Sequence, residues 1–509
     1  MDNKTLLAIV LSIAVIIGYQ YLASQQQPPI PLKKTQETAQ QAVKKEEPPK
    51  PAPLPVAVVP VPPAEEKEVR VENSLYSAVL SSSGATIKFW EMKDYRDNAG
   101  KRVVLLQKPG VVPALAIGTN TDFDLSHANF SVIGGNLKLD EHNRTGSVVF
   151  EYAKGGISVK RTYTFHAGTY RVDVIDQVTG LPHYWITVGS DFGIFDKEAS
   201  YAHAGPALLQ GTDLDELKVK KLKEPKTYKG DLRWIAQEDK YFCAALVPET
   251  KVEEARAWLV KDSPVIAFEG GKSVNKFHLY AGPKVQERLE KIGLQDIINY
   301  GFFAIIARPL FWILKFFYGF LGNYGWAIIL LTLVVRIPFL PLVSKGQKSM
   351  KKLQELQPKM NEVKEKYKKD PQKMQKEMME LYKKHKVNPM GGCLPMVAQI
   401  PVFFALYKVL LISIELRGAP FMLWITDLSA KDPYYILPIV MGISMFVQQK
   451  MTPSGMDPKQ QKLMLLMPVV FTFMFMNFAS GLVLYWLVNN LLSIIQQFFI
   501  NRKIASQKA

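Results

Sequence analysis

The sequence predicts a multi-domain membrane protein. It has an α-helical membrane core of five spans plus an N-terminal anchor, a large β-sandwich outside the membrane and a helical hairpin in the cytoplasm. Three observations predict this. Long apolar runs crowd into the last third of the chain. A middle segment alternates with period two and is punctuated by glycine pairs. The excess of 63 Lys+Arg over 46 Asp+Glu, a net +17, is concentrated in particular connecting segments. The only cysteines are Cys243 and Cys393. With no CxxC and no ligand-like histidine cluster, a disulfide scaffold, a zinc module and a thioredoxin-type site are excluded.

Residues 1–24 read as the anchor. Leu6 to Leu22 is apolar apart from Ser12, Gln20, Tyr19 and Tyr21. At 1.5 Å per residue it covers roughly 25 Å, enough for a thin bilayer. A cleaved signal peptide is the alternative, but no small-x-small site follows Ser24. Residues 25–68 carry 11 prolines between Pro28 and Pro63. Such a segment buries too little apolar surface to fold, and its prolines make it an extended tether.

Residues 69–292 read as the sandwich. Ile87 and Phe89 are expected on one face of a strand. Ile157, Val159, Tyr163 and Phe165 share a face in a second stretch, with Arg161 the exception, and Tyr170, Val172 and Val174 follow. Ser83-Gly84, Gly134-Gly135, Gly155-Gly156 and Gly270-Gly271 are turn signals. A helix is expected over 283–292. Scattered histidines give no metal spacing, so a structural or partner-binding domain is expected rather than an enzyme. A sugar- or peptide-binding sandwich is the rival.

Residues 293–322 contain Phe302 to Leu321, broken by Arg308 and Lys315 seven residues apart, hence on one helix face. That fits an amphipathic helix in the membrane interface; a true span is the rival. Trp326 to Val343 is the next span (domain 323–344). The stretch 345–390 follows: Lys345 to Lys386 holds 14 Lys against 6 Asp+Glu, a net +8. Leu353, Leu356, Met360, Val363 and Tyr367 space as a helical seam, and so do Met374, Met378, Leu381 and His385. Lys369-Asp370-Pro371 separates them, giving a hairpin; Pro358 should interrupt or start its first arm. A merely solvated basic loop is the bland reading. Within 391–500, Leu394–Ile414, Tyr434–Val447, Leu463–Phe478 and Leu482–Ile500 are further spans, and 501–509 is a short basic tail.

Charge orients these spans. The loop 415–433 has Arg417 and Lys431 against Glu415, Asp427 and Asp432, net −1; 448–462 has Lys450, Lys459 and Lys462 against Asp457, net +2. The positive-inside rule puts the +8 stretch, the +2 loop and the tail in the cytoplasm, and the −1 loop outside. With the N-terminus inside, the sandwich is outside. Parity then favours the interfacial reading of Phe302–Leu321.

Arg336 lies about ten residues into a span, where a charge costs about 2.5–3.5 kcal/mol on insertion scales. It either snorkels to the inner interface or serves as a permanent cation in a polar cavity. Thr332 is one turn before it on the same face. Asn489, Ser493 and Gln496 or Gln497 recur at helical spacing in the last span, and Gln399 and Ser444 sit in others. Together they suggest a polar groove on the cytoplasmic side. No acid lies within the five spans, which weakens a cation pump or proton relay.

Particular motifs carry a resemblance. Trp424-Ile425-Thr426-Asp427-Leu428-Ser429, Asp432-Pro433-Tyr434-Tyr435-Ile436-Leu437-Pro438, Asn388-Pro389-Met390-Gly391-Gly392-Cys393, Gln399-Ile400-Pro401-Val402-Phe403 and Ser480-Gly481-Leu482-Val483-Leu484-Tyr485 resemble the YidC-type membrane protein insertases. The resemblance covers residues 300–500; the anchor, tether and sandwich match the Gram-negative form by architecture. It implies a non-enzymatic insertase and chaperone of the bacterial inner membrane, multi-pass, with both termini cytoplasmic and the β domain periplasmic. The groove would be open to cytoplasm and lipid, and the protein would work alone or with the Sec translocon. It implies no cofactor and no metal. Its partners would be nascent inner-membrane proteins, the Sec translocon, the ribosome and membrane lipid, with no DNA. Arg336 matches the family's groove arginine, and Thr332 the neighbouring polar residue. Phe403 and Tyr485 match positions that contact a passing substrate helix. Trp486 stands where many relatives carry a second tyrosine, keeping a ring and losing a hydroxyl. The hairpin matches the region of substrate capture. A transporter or channel, and a membrane-tethered carbohydrate-binding protein, are the competing classes.

Overall fold

The computed structural model describes residues 66–506 apart from 98, 197–201, 272, 386, 388–393 and 453–457. The expected anchor, nearly all of the tether, and the Asn388–Cys393 motif lie outside the described residues.

Among the described residues between 68 and 283, the regular structure is nineteen strands and one short 3₁₀ turn, Val219–Lys221. A nine-stranded sheet runs in the order 213–216, 205–210, 232–238, 242–248, 274–283, 171–179, 157–166, 145–154 and 131–133. Two five-stranded sheets pack with it, and a single core takes buried residues from all three. Among the described residues the strands pair antiparallel, except that Glu68–Glu72 pairs in parallel with Leu137–Lys138. Gly155 and Gly156 both take positive φ, 60° and 77°. They form the two-residue turn joining Thr145–Lys154 to Ile157–His166, a geometry that only glycine enters without strain.

Two alternation patterns resolve differently from expectation. Ile87 is fully buried but Phe89 is only half-buried, while Trp90 and Met92 point inward. A β-bulge sets Phe89 opposite Val79 and Ile87 opposite Leu80 of the neighbouring strand, so Lys88 is the extra residue and the side-chain alternation flips beyond it. Arg161 follows its apolar neighbours into the core. It is fully buried, and its Nε and Nη2 donate to the two carboxylate oxygens of Asp176, both at 2.7 Å. A buried charge is tolerable when paired in this way. The helix expected over 283–292 is reduced to α1, Gln286–Glu290.

Eight further helices are described: α2 (Ala304–Leu321), α3 (Tyr324–Arg336), α4 (Leu340–Lys366), α5 (Pro371–Lys384), α6 (Leu394–Ile412), α7 (Ile436–Met451), α8 (Pro458–Phe475) and α9 (Ser480–Ser506). Asn323 caps α3 by accepting from the amides of Gly325 and Trp326, and its Nδ2 donates to the Phe421 carbonyl. Only a 3₁₀ turn at Ile337–Phe339 separates α3 from α4, which continues unbroken through Pro358. Asp370 caps α5, with Pro371 at its first position. Leu353, Leu356 and Met360 of α4 meet Met378, Leu381 and Tyr382 of α5. Val363, Tyr367, Met374 and His385 of the expected seams are not part of that cluster.

Helix α9 packs along α7 and α3, α7 against α8, and α2 against α3 and α6. By length and composition, Gly301–Leu321, Tyr324–Lys366 and Ser480–Arg502 can each cross a membrane; Val397–Ile412, Ile436–Met451 and Met464–Phe475 are shorter apolar helices. Ile443 on α7, Phe473 on α8 and Phe499 on α9 are each about 60% exposed or more. Apolar surface of that kind belongs against lipid.

Candidate functional site

The site forms where α3, α6 and α9 converge. Arg336 is the last residue of α3 and is only 8% exposed. Its Nη1 donates to the Asn489 carbonyl at 3.0 Å and to Asn489 Oδ1 at 2.5 Å. Its Nη2 donates to Ser493 Oγ at 2.8 Å and to Gln496 Oε1 at 3.3 Å. Residues 489, 493 and 496 lie on one stripe of α9 through the helical period. Gln399 of α6 closes the ring, its Nε2 donating to Asn489 Oδ1 at 3.4 Å.

Every partner of Arg336 is neutral. The guanidinium Nε is buried and has no hydrogen-bond partner. No Asp or Glu occurs in α3, α6, α7, α8 or α9. The positive charge is therefore solvated by dipoles and not cancelled by a carboxylate, so its field reaches whatever occupies the adjoining space.

One to two turns toward the N-terminus of α9 the wall becomes aromatic. Phe403 lies 4.7 Å from Trp486, edge to face, and 6.5 Å from Tyr485. Trp486 also meets Phe475 at 4.8 Å and Phe471 at 6.4 Å, both from α8. Such rings offer apolar area with low conformational cost.

The structure thus brings together Arg336, Gln399, Asn489 and Ser493, and beside them Phe403, Tyr485 and Trp486. Thr332 is not a member of the polar ring. It is 2% exposed and its hydroxyl donates to the Ile328 carbonyl one turn back in its own helix, at 2.7 Å. Ser444 faces elsewhere, accepting from Asn490 Nδ2 at 3.0 Å between α7 and α9. Sequence reasoning missed Asn490; the Asn489-Asn490 pair was the available signal, since adjacent helical residues face about 100° apart. It also missed Phe471 and Phe475, which look like ordinary lipid-facing residues until α8 is placed.

The β domain carries an open depression of about 490 Å³ lined by Glu72, Lys93, Lys138, Asp140, Glu141 and Arg144 among others. Its lining includes no aromatic ring on which a sugar could stack.

Comparisons with known proteins match the chain in two parts that meet within α2. Residues 68–313 match the family described as the YidC periplasmic domain, and residues 316–508 match the 60Kd inner membrane protein family. The membrane protein insertase YidC of Geobacter metallireducens is 42% identical over the full length of both chains. That of Citrifermentans bemidjiense is 41% identical, covering 99% of this chain and 100% of its own. Among solved structures, an active YidC insertase with its first transmembrane domain resolved is 20% identical. It covers 85% of this chain and 92% of its own, with a TM-score of 0.40, a likeness too loose to carry weight by itself.

Proposed function

Because the chain belongs to the YidC family of membrane protein insertases, which insert proteins into the inner membrane without enzymatic chemistry, we propose that the ring around Arg336 is where a substrate's polar tail is held during insertion. The observation that carries this is the buried guanidinium with only neutral partners and one unengaged N–H. A permanent cation in a polar recess lowers the cost of bringing an acidic or polar tail partway across the bilayer. The aromatic wall of Phe403, Tyr485 and Trp486 then guides the substrate's apolar helix. Its exit into lipid is favourable by about 0.8 kcal/mol per buried CH₂. A membrane potential favours outward movement of an acidic tail by about 2.3 kcal/mol per charge per 100 mV.

The topology we propose has one N-terminal anchor and five core spans: α3 with the start of α4, then α6, α7, α8 and α9. Helix α2 lies in the outer interface. Arg308 of α2 pairs with Asp296 at 3.1 Å, and Lys315 pairs with Glu287, both at the foot of the β domain. Phe302, Ile305, Trp312, Phe316 and Phe320 are exposed on the same segment, as interfacial immersion requires. The charge distribution supports cytoplasmic termini and a cytoplasmic α4–α5 hairpin, where a substrate is first captured. The Sec translocon and the ribosome are its proposed partners.

The test uses purified protein in liposomes and a short single-span substrate with an acidic outer tail. Protease protection above that of empty liposomes is expected for the wild type. It should be lost in Arg336→Ala and retained in Arg336→Lys. Equal protection by all three proteins would remove Arg336 from the mechanism.

A further inference from the structure

We propose that the segment Ser413–Arg417 is a proton-sensitive strut that docks the β domain onto the C-terminal end of α6, the helix that carries Gln399 and Phe403.

Consecutive side chains of this segment enter different bodies. Ser413 closes α6, its hydroxyl donating to the Val409 carbonyl at 2.6 Å. A 3₁₀ turn, Ile414–Leu416, follows. Ile414 is 3% exposed and belongs to the hydrophobic core of the β domain. Leu416 is fully buried and belongs to the core of the helical bundle. The Arg417 guanidinium sits over three rings of the β domain: Phe195 at 5.7 Å, Tyr241 at 5.8 Å and Phe242 at 5.3 Å. A cation so enclosed by ring faces is held by cation–π attraction. The β domain is thus pinned to α6 by one apolar plug, Ile414 just before Glu415, and one cationic plug, Arg417 two residues after it.

Glu415 itself lies in the seam. Its Oε1 is fully occluded and has no hydrogen-bond partner. The groups that face it are Lys315 of α2, Glu287 of α1, Tyr95 of the strand Thr86–Arg96, Tyr300 ahead of α2 and Tyr324 of α3. The Lys315 ammonium, which favours the carboxylate, is already engaged by Glu287. Burial dominates and pushes the Glu415 carboxyl up to about 7. A carboxyl raised in the docked state favours docking when protonated. Its contribution is fully present below the ordinary carboxylate range and is lost as pH rises through about 7. Between pH 5 and 8 the docking equilibrium changes by up to roughly 10²-fold.

The experiment is hydrogen exchange by mass spectrometry on the full chain in lipid nanodiscs from pH 5 to 8, corrected for intrinsic rates. In the wild type, peptides covering 413–417 and 241–243 are expected to lose protection as pH rises, while the strand Arg171–Thr179 keeps its own. Glu415→Gln, nearly isosteric, should stay protected and flat with pH. Arg417→Gln should be loosened at every pH yet keep the pH slope. The proposal is overturned by a flat wild-type profile, by a wild-type slope in Glu415→Gln, or by wild-type protection in Arg417→Gln. Simultaneous loss at Arg171–Thr179 would also overturn it, since the change would then be unfolding and not undocking.

Discussion

Replacing Arg336 by alanine should depress insertion of acidic-tailed substrates by roughly 10- to 100-fold while leaving neutral-tailed ones within about threefold. The magnitude follows from the site. The partners of Arg336 are neutral, so its charge is available to a substrate carboxylate. At a separation of about 6 Å and an effective dielectric near 20, one charge pair is worth about 2.8 kcal/mol, or about 100-fold. Water in the groove reduces this, which sets the lower bound. Folding should suffer less. Ser493 already donates to the Asn489 carbonyl at 2.8 Å, and Gln496 Nε2 reaches the Leu340 carbonyl at 3.4 Å, so the abandoned groups keep partners. Removing a costly buried charge offsets the lost bonds, and a stability change within about 2 kcal/mol is expected. Lysine keeps the charge, but one nitrogen cannot reproduce a fork that spans Asn489, Ser493 and Gln496. It should restore most of the insertion of acidic tails with a loosened α3–α9 contact. The assay is the initial rate of protease protection in proteoliposomes for one span carrying acidic, neutral or basic tails, with thermal unfolding run alongside. An equal fall for acidic and neutral tails would refute the electrostatic argument, as would failure of lysine to rescue.

Other consequences are structural. A Cβ at Gly442 would lie 1.9 Å from Thr472 Oγ1, whose hydroxyl is bound to the Pro468 carbonyl. Gly442→Ala should therefore cost about 1–3 kcal/mol by overpacking α7 against α8, and Thr472→Ala should recover part of it in thermal melts. Asp432 is 1% exposed and accepts from Trp424 Nε1 and the amides of Tyr434 and Leu437. Asp432→Ala should cost about 2–4 kcal/mol, through the lost cap of α7 and the abandoned indole N–H, and the Trp424 fluorescence should shift as the ring is released. Asp176→Ala leaves the Arg161 guanidinium buried and unpaired, and should destabilise the β domain by about 3–5 kcal/mol in denaturant unfolding. A loss under 1 kcal/mol there would mean that water or the Leu115 carbonyl suffices for Arg161.

Much of this molecule is legible along the chain because its strongest signals are local. Apolar runs, period-two stretches and glycine pairs are properties of neighbouring residues, and they located the sheets and the helices. Arg336 is conspicuous for the same reason: a guanidinium among Leu333, Val334, Val335 and Ile337 must either snorkel or find polar partners. Helical spacing alone put Asn489, Ser493 and Gln496 on one stripe. What spacing could not decide is which stripe meets which. The contact between Gln399 and Asn489 joins residues 90 apart, and that between Arg336 and Ser493 joins residues 157 apart. Thr332 shares a face with Arg336 by period, yet its hydroxyl found a nearer acceptor in its own helix. Arg161 broke an apolar pattern in the sequence because its partner, Asp176, lies on the adjoining strand. The bulge at Lys88 reversed an alternation that the strand's own residues did not betray. Patterns among neighbouring residues were enough to tell strand segments from helical ones and to single out the residues that are chemically out of place. The tertiary structure alone decided their partners, because burial and hydrogen bonding are satisfied between elements, and the energy of a charge depends on neighbours that the chain order does not name.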